Sequence, residues 1–231
     1  MPDVSFLFSI SHTPLLQTKS RIFAALFQLN VMFDYTYHTV AGESEGIYRE
    51  KGSKFIALAY PVKTEDDVKQ KVAEIKKKYY DARHHCYAYI LGPNKDAYRL
   101  NDDGEPSGTA GRPIHGQLLS KDVTDTLIIV VRYFGGIKLG VSGLINAYKT
   151  AAKDALDNNT IVERFVEEDY IVRFPPLAMN KVMQLLKRDT VKITGQAYEA
   201  DYIIHFTVQK RDADSLLEAL RKINGATVQI A

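Results

Sequence analysis

Thr126-Leu127-Ile128-Ile129-Val130-Val131-Arg132-Tyr133-Phe134-Gly135-Gly136-Ile137-Lys138-Leu139-Gly140 joins an almost unbroken β-branched and aliphatic run to a glycine turn. Continuous apolarity over 126–133 predicts a strand covered on both faces, hence a central one. Beyond Gly140, Leu144, Ile145, Tyr148, Ala152 and Leu156 recur at helical spacing, so a helix is expected over 141–156. The segment therefore reads as strand, glycine turn and helix N-terminus. Glycine lets a backbone approach a ligand closely, and the unpaired amides that open a helix favour an anion.

The same order occurs upstream. Strands are expected over 84–91 and 97–101, turned by Pro93-Asn94. They lead into Asn101-Asp102-Asp103-Gly104-Glu105-Pro106-Ser107-Gly108-Thr109-Ala110-Gly111-Arg112-Pro113, which is too rich in Gly, Pro and Asp for a strand or a helix interior. Pro113 suits the first position of a helix that buries Ile114, Leu118 and Leu119. If the two feeding strands share a sheet and an orientation, both helix N-termini emerge at one edge as an anion- or partner-binding surface. Its candidate residues are Ser107, Gly108, Thr109, Gly111 and Arg112 in the first loop, with Arg132, Gly135, Gly136, Lys138 and Gly140 in the second. Neither loop matches the phosphate loop of nucleotide hydrolases or the dinucleotide fingerprint, and no cofactor is expected.

Asp102, Asp103 and Glu105 crowd three carboxylates into one loop, as a magnesium site or an acid/base pair requires. Loop aspartates also cap backbone amides, and that reading is preferred. His84 and His85 are adjacent on a strand and point to opposite faces, while Cys86 shares the His84 side, which leaves too few ligands for zinc. Ser107 or Thr109 with a histidine and Asp102 makes a formal nucleophile set, but no spacing singles it out. Ser142 reads as a helix cap.

Elsewhere, strands are expected over 46–50 and 53–60, closed by Pro61, and Thr64 with Glu65, Asp66 and Asp67 opens a helix carrying Val68, Val72, Ile75 and Tyr79. Lys76, Lys77 and Lys78 form its solvated end. Past Asn158-Asn159 the pattern restarts as strand 169–174, helix 176–188, strands 191–197 and 201–209, helix 212–223 and strand 226–230. This is the βαββαβ order of a ferredoxin-like unit. Leu177, Val182, Leu185 and Leu186 mark one buried helix face, and Leu216, Leu217, Leu220 and Ile223 the other.

A length of 231 residues with 45% hydrophobic and 25% charged residues fits two modest globular domains, placed at 32–158 and 160–231. Residues 1–31 read as a poorly structured extension or a start set too far upstream, with Met32 the alternative and a transit peptide the rival. The single cysteine fits a reducing compartment and excludes an intrachain disulfide, so the cytoplasm is expected. No apolar run is long enough to span a membrane. The formal charge of +2 gives no global field for nucleic acid, so only a local patch can bind it.

The run from Asp102 to Ile114, followed by Val131 to Gly140, closely resembles the signature of the YigZ/IMPACT family. Ser53-Lys54-Phe55-Ile56-Ala57 and His84-His85-Cys86-Tyr87-Ala88-Tyr89 also resemble family segments. Ser142 stands where the family usually has glycine. The resemblance covers about 35–156 and implies an α+β first domain with the fold of elongation factor G domain IV and of a small-subunit ribosomal protein domain. The tail is similar to the ferredoxin-like domain of the bacterial members. It further implies a non-enzymatic binding or regulatory protein linked to translation, with RNA, the ribosome or a translation-associated protein as partner. It supplies no catalytic residue. An enzyme acting on a phosphorylated small molecule, with magnesium in the acidic loop, is the competing reading.

Overall fold

The computed structural model describes residues 35–231, so the expectation for 1–31 lies outside the described residues. After a short strand β1 (Thr36–Val40), five strands form the first sheet: β2 (Ser44–Glu50), β3 (Ser53–Pro61), β4 (His84–Leu91), β5 (Ala97–Asn101) and β6 (Thr126–Tyr133). Their spatial order is β2-β3-β6-β4-β5, with every neighbouring pair antiparallel. The uninterrupted apolar run thus occupies the centre. Both of its faces are covered, because three helices divide between them: α1 (Glu65–Lys78), α2 (Gly111–Ser120) and α3 (Gly140–Asp157).

Strand alternation sorts the core into two layers. Phe55, Ala57, Cys86, Ala88, Ile128 and Val130 face α2 and α3, meeting Ile114, Leu118, Leu144 and Tyr148. Ile56, Leu58, Tyr89, Leu127, Ile129 and Val131 face α1 and pack on Val68 and Ile75. Small residues let α3 lie close to the sheet: a Cβ on Gly46 would stand 2.2 Å from the Ala155 nitrogen. The opening of α1 is a reciprocal cap, in which the Thr64 hydroxyl accepts from the Asp67 N–H at 3.1 Å and the Asp67 carboxylate accepts from the Thr64 N–H at 2.9 Å.

A second sheet follows a strand β7 (Ile161–Phe165). It contains β8 (Glu167–Phe174), β9 (Val191–Tyr198), β10 (Tyr202–Gln209) and β11 (Thr227–Ile230), with helices α4 (Met179–Leu186) and α5 (Lys210–Arg221). The antiparallel order β11-β8-β10-β9 is the ferredoxin-like arrangement, and Val172, Phe174, Val182, Phe206, Leu216 and Leu220 form its separate core. The fold class is α+β. No helix among the described residues is long and apolar enough to cross a membrane.

Several local expectations are corrected. Pro113 is the third residue of α2 rather than the first, because the helix begins at Gly111 after Ala110. The expected helix 176–188 is a 3-10 turn, Pro176–Ala178, followed by the shorter α4; Leu177 sits on the turn and is 98% exposed instead of buried. Leu119 and Ile145 are also exposed, lying off the buried stripes of α2 and α3. Strands β1 and β7, absent from the sequence reading, pair antiparallel with each other from Thr36↔Phe165 to Val40↔Ile161.

One topological fact positions the site. Strands β5 and β6 are both antiparallel to β4, so they run in the same direction and their following loops leave at the same edge.

Candidate functional site

The first loop is tied to itself. The Asp102 carboxylate accepts from the N–H groups of Gly108 at 2.8 Å, Ala110 at 3.0 Å and Gly111 at 2.8 Å, capping α2 from across the loop. Asp103, with φ of +41°, turns its carboxylate to the His85 N–H at 2.7 Å and to Lys76 at 2.9 Å. Burial would raise its pKa, but Lys76 and the His85 N–H outweigh that and hold it below the ordinary carboxylate value. Glu105 accepts from Arg132 Nη1 at 2.5 Å and from the Tyr148 hydroxyl at 2.8 Å. The three carboxylates therefore serve three different sets of donors, and no three His, Cys, Asp or Glu side chains converge as metal ligands among the described residues.

The remaining loop residues are placed by packing. The Thr109 side chain is buried and donates to the Pro106 carbonyl at 2.7 Å. A Cβ on Gly111 would stand 2.8 Å from the Asn101 nitrogen, so glycine lets α2 start against the end of β5. Gly108 has φ of +75°. Ser107 and Arg112 are exposed on the outside of the loop.

Behind the loop, His84 donates through Nδ1 to the Asp103 carbonyl at 2.9 Å, which leaves Nε2 4.0 Å from Glu105 Oε1. His85 turns the other way and donates through Nε2 to the Tyr79 carbonyl at 3.0 Å; burial depresses its pKa more than that carbonyl raises it. The Cys86 thiol lies 3.0 Å from the Asp102 carbonyl and 3.3 Å from the Tyr148 hydroxyl. Burial pushes the pKa of both Cys86 and Tyr148 up, so these groups stay protonated and serve as packing and hydrogen-bond donors.

Among the described residues, the second loop is tied down only at its start. A Cβ on Gly135 would stand 1.9 Å from the Gly52 carbonyl carbon, and the Gly135 N–H donates to the Ser53 hydroxyl at 3.1 Å. Gly136 and Gly140 have φ of +87° and +76° and face open space. Helix α3 follows with Leu139 at its cap position, no side-chain cap and no acid in its first turn. Ser142 lies exposed inside that turn and is not the cap the sequence reading made it.

Arg132 continues the β6 face that meets α3 and is only 6% exposed. Its guanidinium lies 5.5 Å from the Phe55 ring centroid and 5.6 Å from that of Phe134. Nη1 serves Glu105, whereas Nε has no hydrogen-bond partner among the described residues.

These groups meet in a cleft of about 440 Å³ lined by Arg83, His84, Glu105, Pro106, Arg132, Phe134, Lys138, Leu139, Gly140, Val141 and Leu144. Of the sequence candidates, Arg132, Lys138 and Gly140 line it. Ser107, Gly108, Thr109, Gly111, Arg112, Gly135 and Gly136 do not. Sequence reasoning missed Arg83, Phe134 and Val141, although Phe134 and Val141 are 51% and 60% exposed. Their signal was available: Val141 is apolar but off the stripe that α3 buries, and Phe134 is an aromatic in the turn just past the end of β6. A larger depression of about 820 Å³ lies beside β1 and β7, but its lysine, Lys63, is already paired with Asp125 at 2.7 Å.

Fold and cleft together define a two-sheet α+β protein with a cationic, partly apolar groove where two glycine loops meet. The Impact N-terminal domain model matches residues 51–156. The IMPACT family member YvyE of Bacillus subtilis is 46% identical over 132 residues, covering 56% of this chain and 60% of that protein. The IMPACT family member YigZ of Escherichia coli is 34% identical over 152 residues, covering 65% of this chain and 74% of that protein. A crystal structure described as that of a hypothetical protein superposes with a TM-score of 0.70 at 26% identity, over 85% of this chain and 98% of that one. The chain belongs to the IMPACT family.

Proposed function

We propose that this chain is a non-enzymatic binding protein linked to translation, acting in the cytoplasm, and that its cleft contacts RNA, free or within the ribosome. The observation that carries this reading is the pairing, in one cleft, of buried Arg132 and the start of α3, the Nε of the one and the first amides of the other having no side-chain partner among the described residues. Exposed Lys138 and Arg83 add charge at its rim, and half-exposed Phe134 offers a ring on which a base can stack. The link to translation rests on family membership. The competing magnesium-dependent enzyme would need carboxylates free to share a cation. Here Asp102, Asp103 and Glu105 are each committed to protein donors.

The test is binding of a single-stranded RNA oligomer across a salt series. Loss of one phosphate contact in Lys138→Ala should lower affinity and reduce the salt slope by about one unit. Phe134→Ala should cost about 1–3 kcal/mol of binding with little change in the slope, since stacking carries no counterion release. Unchanged RNA binding by both folded variants would transfer the surface to a protein partner.

A further inference from the structure

We infer that the inner end of the cleft is a subsite for a single phosphoryl group, held between Arg132 and the first backbone N–H groups of α3. This deepens the RNA reading and uses the same cleft, but it concerns one group and one set of donors.

Two independent features converge there. The first is Arg132, whose orientation is fixed before any ligand arrives by Glu105 on Nη1 and by the rings of Phe55 and Phe134. A guanidinium offers two forks, and engagement of Nη1 by Glu105 leaves the fork of Nε and Nη2, whose Nε is buried with no hydrogen-bond partner among the described residues. An unpartnered, buried donor is costly, and an oxyanion repays that cost by accepting from both nitrogens. The second feature is the start of α3. Its amides have no side-chain cap and no acid in the first turn, and Leu139, Gly140 and Val141 line the same cleft as Arg132. Gly140, with φ of +76°, leaves open space where a side chain would otherwise intrude. A tetrahedral group with several oxygens suits this pair of donor sets, since some oxygens take the fork and others the amides.

A phosphate monoester and a backbone diester present the same oxygens, so the experiment must separate them. Binding of inorganic phosphate, adenosine 5′-monophosphate and adenosine is measured by titration calorimetry, beside an RNA oligomer with a 5′-hydroxyl that offers diesters only. Wild type should bind the phosphate and the monophosphate saturably and ignore adenosine. Val141→Asp places a carboxylate in the first turn of α3, where the helix dipole favours an acid, so folding is retained; competing for the same amides, it should weaken both phosphate probes about tenfold or more. Arg132→Lys keeps the charge but loses the fork and should weaken them comparably, with the melting curve and circular dichroism checked in each variant.

Binding of the monophosphate but not of the diester oligomer would support the subsite and assign it to a terminal phosphate, while overturning the RNA reading as stated. Competition between the two probes would support both. RNA binding that persists unchanged in Val141→Asp, with neither phosphate probe bound by wild type, would overturn the subsite and leave the wider RNA reading intact. Phosphate binding untouched by both variants would equally overturn it.

Discussion

The two glycine loops leave β5 and β6 in the same direction and open into α2 and α3, yet one is closed and the other is open. In the first, Asp102 occupies the amides that begin α2, and glycine at Gly111 exists to let the helix graze β5. In the second, no side chain among the described residues occupies the start of α3, and Gly136 and Gly140 face open space. Glycine content therefore marks where the backbone bends. Whether an acid nearby fills the helix start decides if anything is left to bind.

The largest expected effect breaks the closed loop. Asp102→Ala removes the acceptor of three N–H groups, two of them on buried residues, and should destabilise the protein by about 3–5 kcal/mol. Differential scanning calorimetry would show this as a fall of roughly 6–20 °C. A melting temperature within a degree of wild type would erase the contrast between the loops.

Next comes Gly135→Ala, which probes the one part of the second loop that is tied down. Its added methyl collides with the backbone at Gly52, and neither partner is a flexible side chain. A loss of about 2–3 kcal/mol in urea unfolding is expected. The corresponding change at Gly136 meets open space but has φ of +87°, so its cost is backbone strain alone. Equal losses at the two positions would mean that strain, not the close pass over Gly52, sets the requirement for glycine.

The smallest effect is a pH dependence. Burial depresses the pKa of both His85 and His115 below the ordinary value of about 6.5. Unfolded histidines take up protons near 6.5 while the buried ones resist, so the unfolded state binds more protons as pH falls. The stability these groups contribute is present above that value and is lost as pH drops through the folded pKa. Melting curves between pH 7.5 and 5.5 should show a shallow decline, smaller than either substitution above. His85→Gln, which retains a donor for the Tyr79 carbonyl, should flatten it. A rise in stability on acidification would contradict the assignment.

Much of the fold was legible because it rests on local regularity. The β6 run needed only its unbroken apolarity to be placed at the centre, and the βαββαβ order was plain from alternating periods. Strands β1 and β7 escaped because each is only five residues long, with Thr39 and Val40 of β1 their only buried positions, and because they pair across more than a hundred intervening residues. The start of α2 was misplaced because its cap, Asp102, lies nine positions before Gly111. The site was legible in outline only. Lys138, Gly140 and Arg132 could be named from the glycine turn, but the cleft also draws on Arg83 and His84 from one segment and Glu105 and Pro106 from another. That Glu105 would take one edge of Arg132 and leave another vacant depends on strand register, which single-sequence reading does not supply.

The ribbon of β1 and β7 has a consequence in time. Thr36 donates to Glu163 across 127 positions of sequence, with the whole first sheet made in between. Synthesis proceeds at about 5–20 residues per second, so β1 emerges from the ribosome and then waits about 6–25 seconds for its partner. Through that interval the β1 backbone groups that will pair with β7 are open to another strand. During synthesis the ribbon can close only after α3 has been made, so β1 is the first of the described strands to emerge and among the last to find its partner.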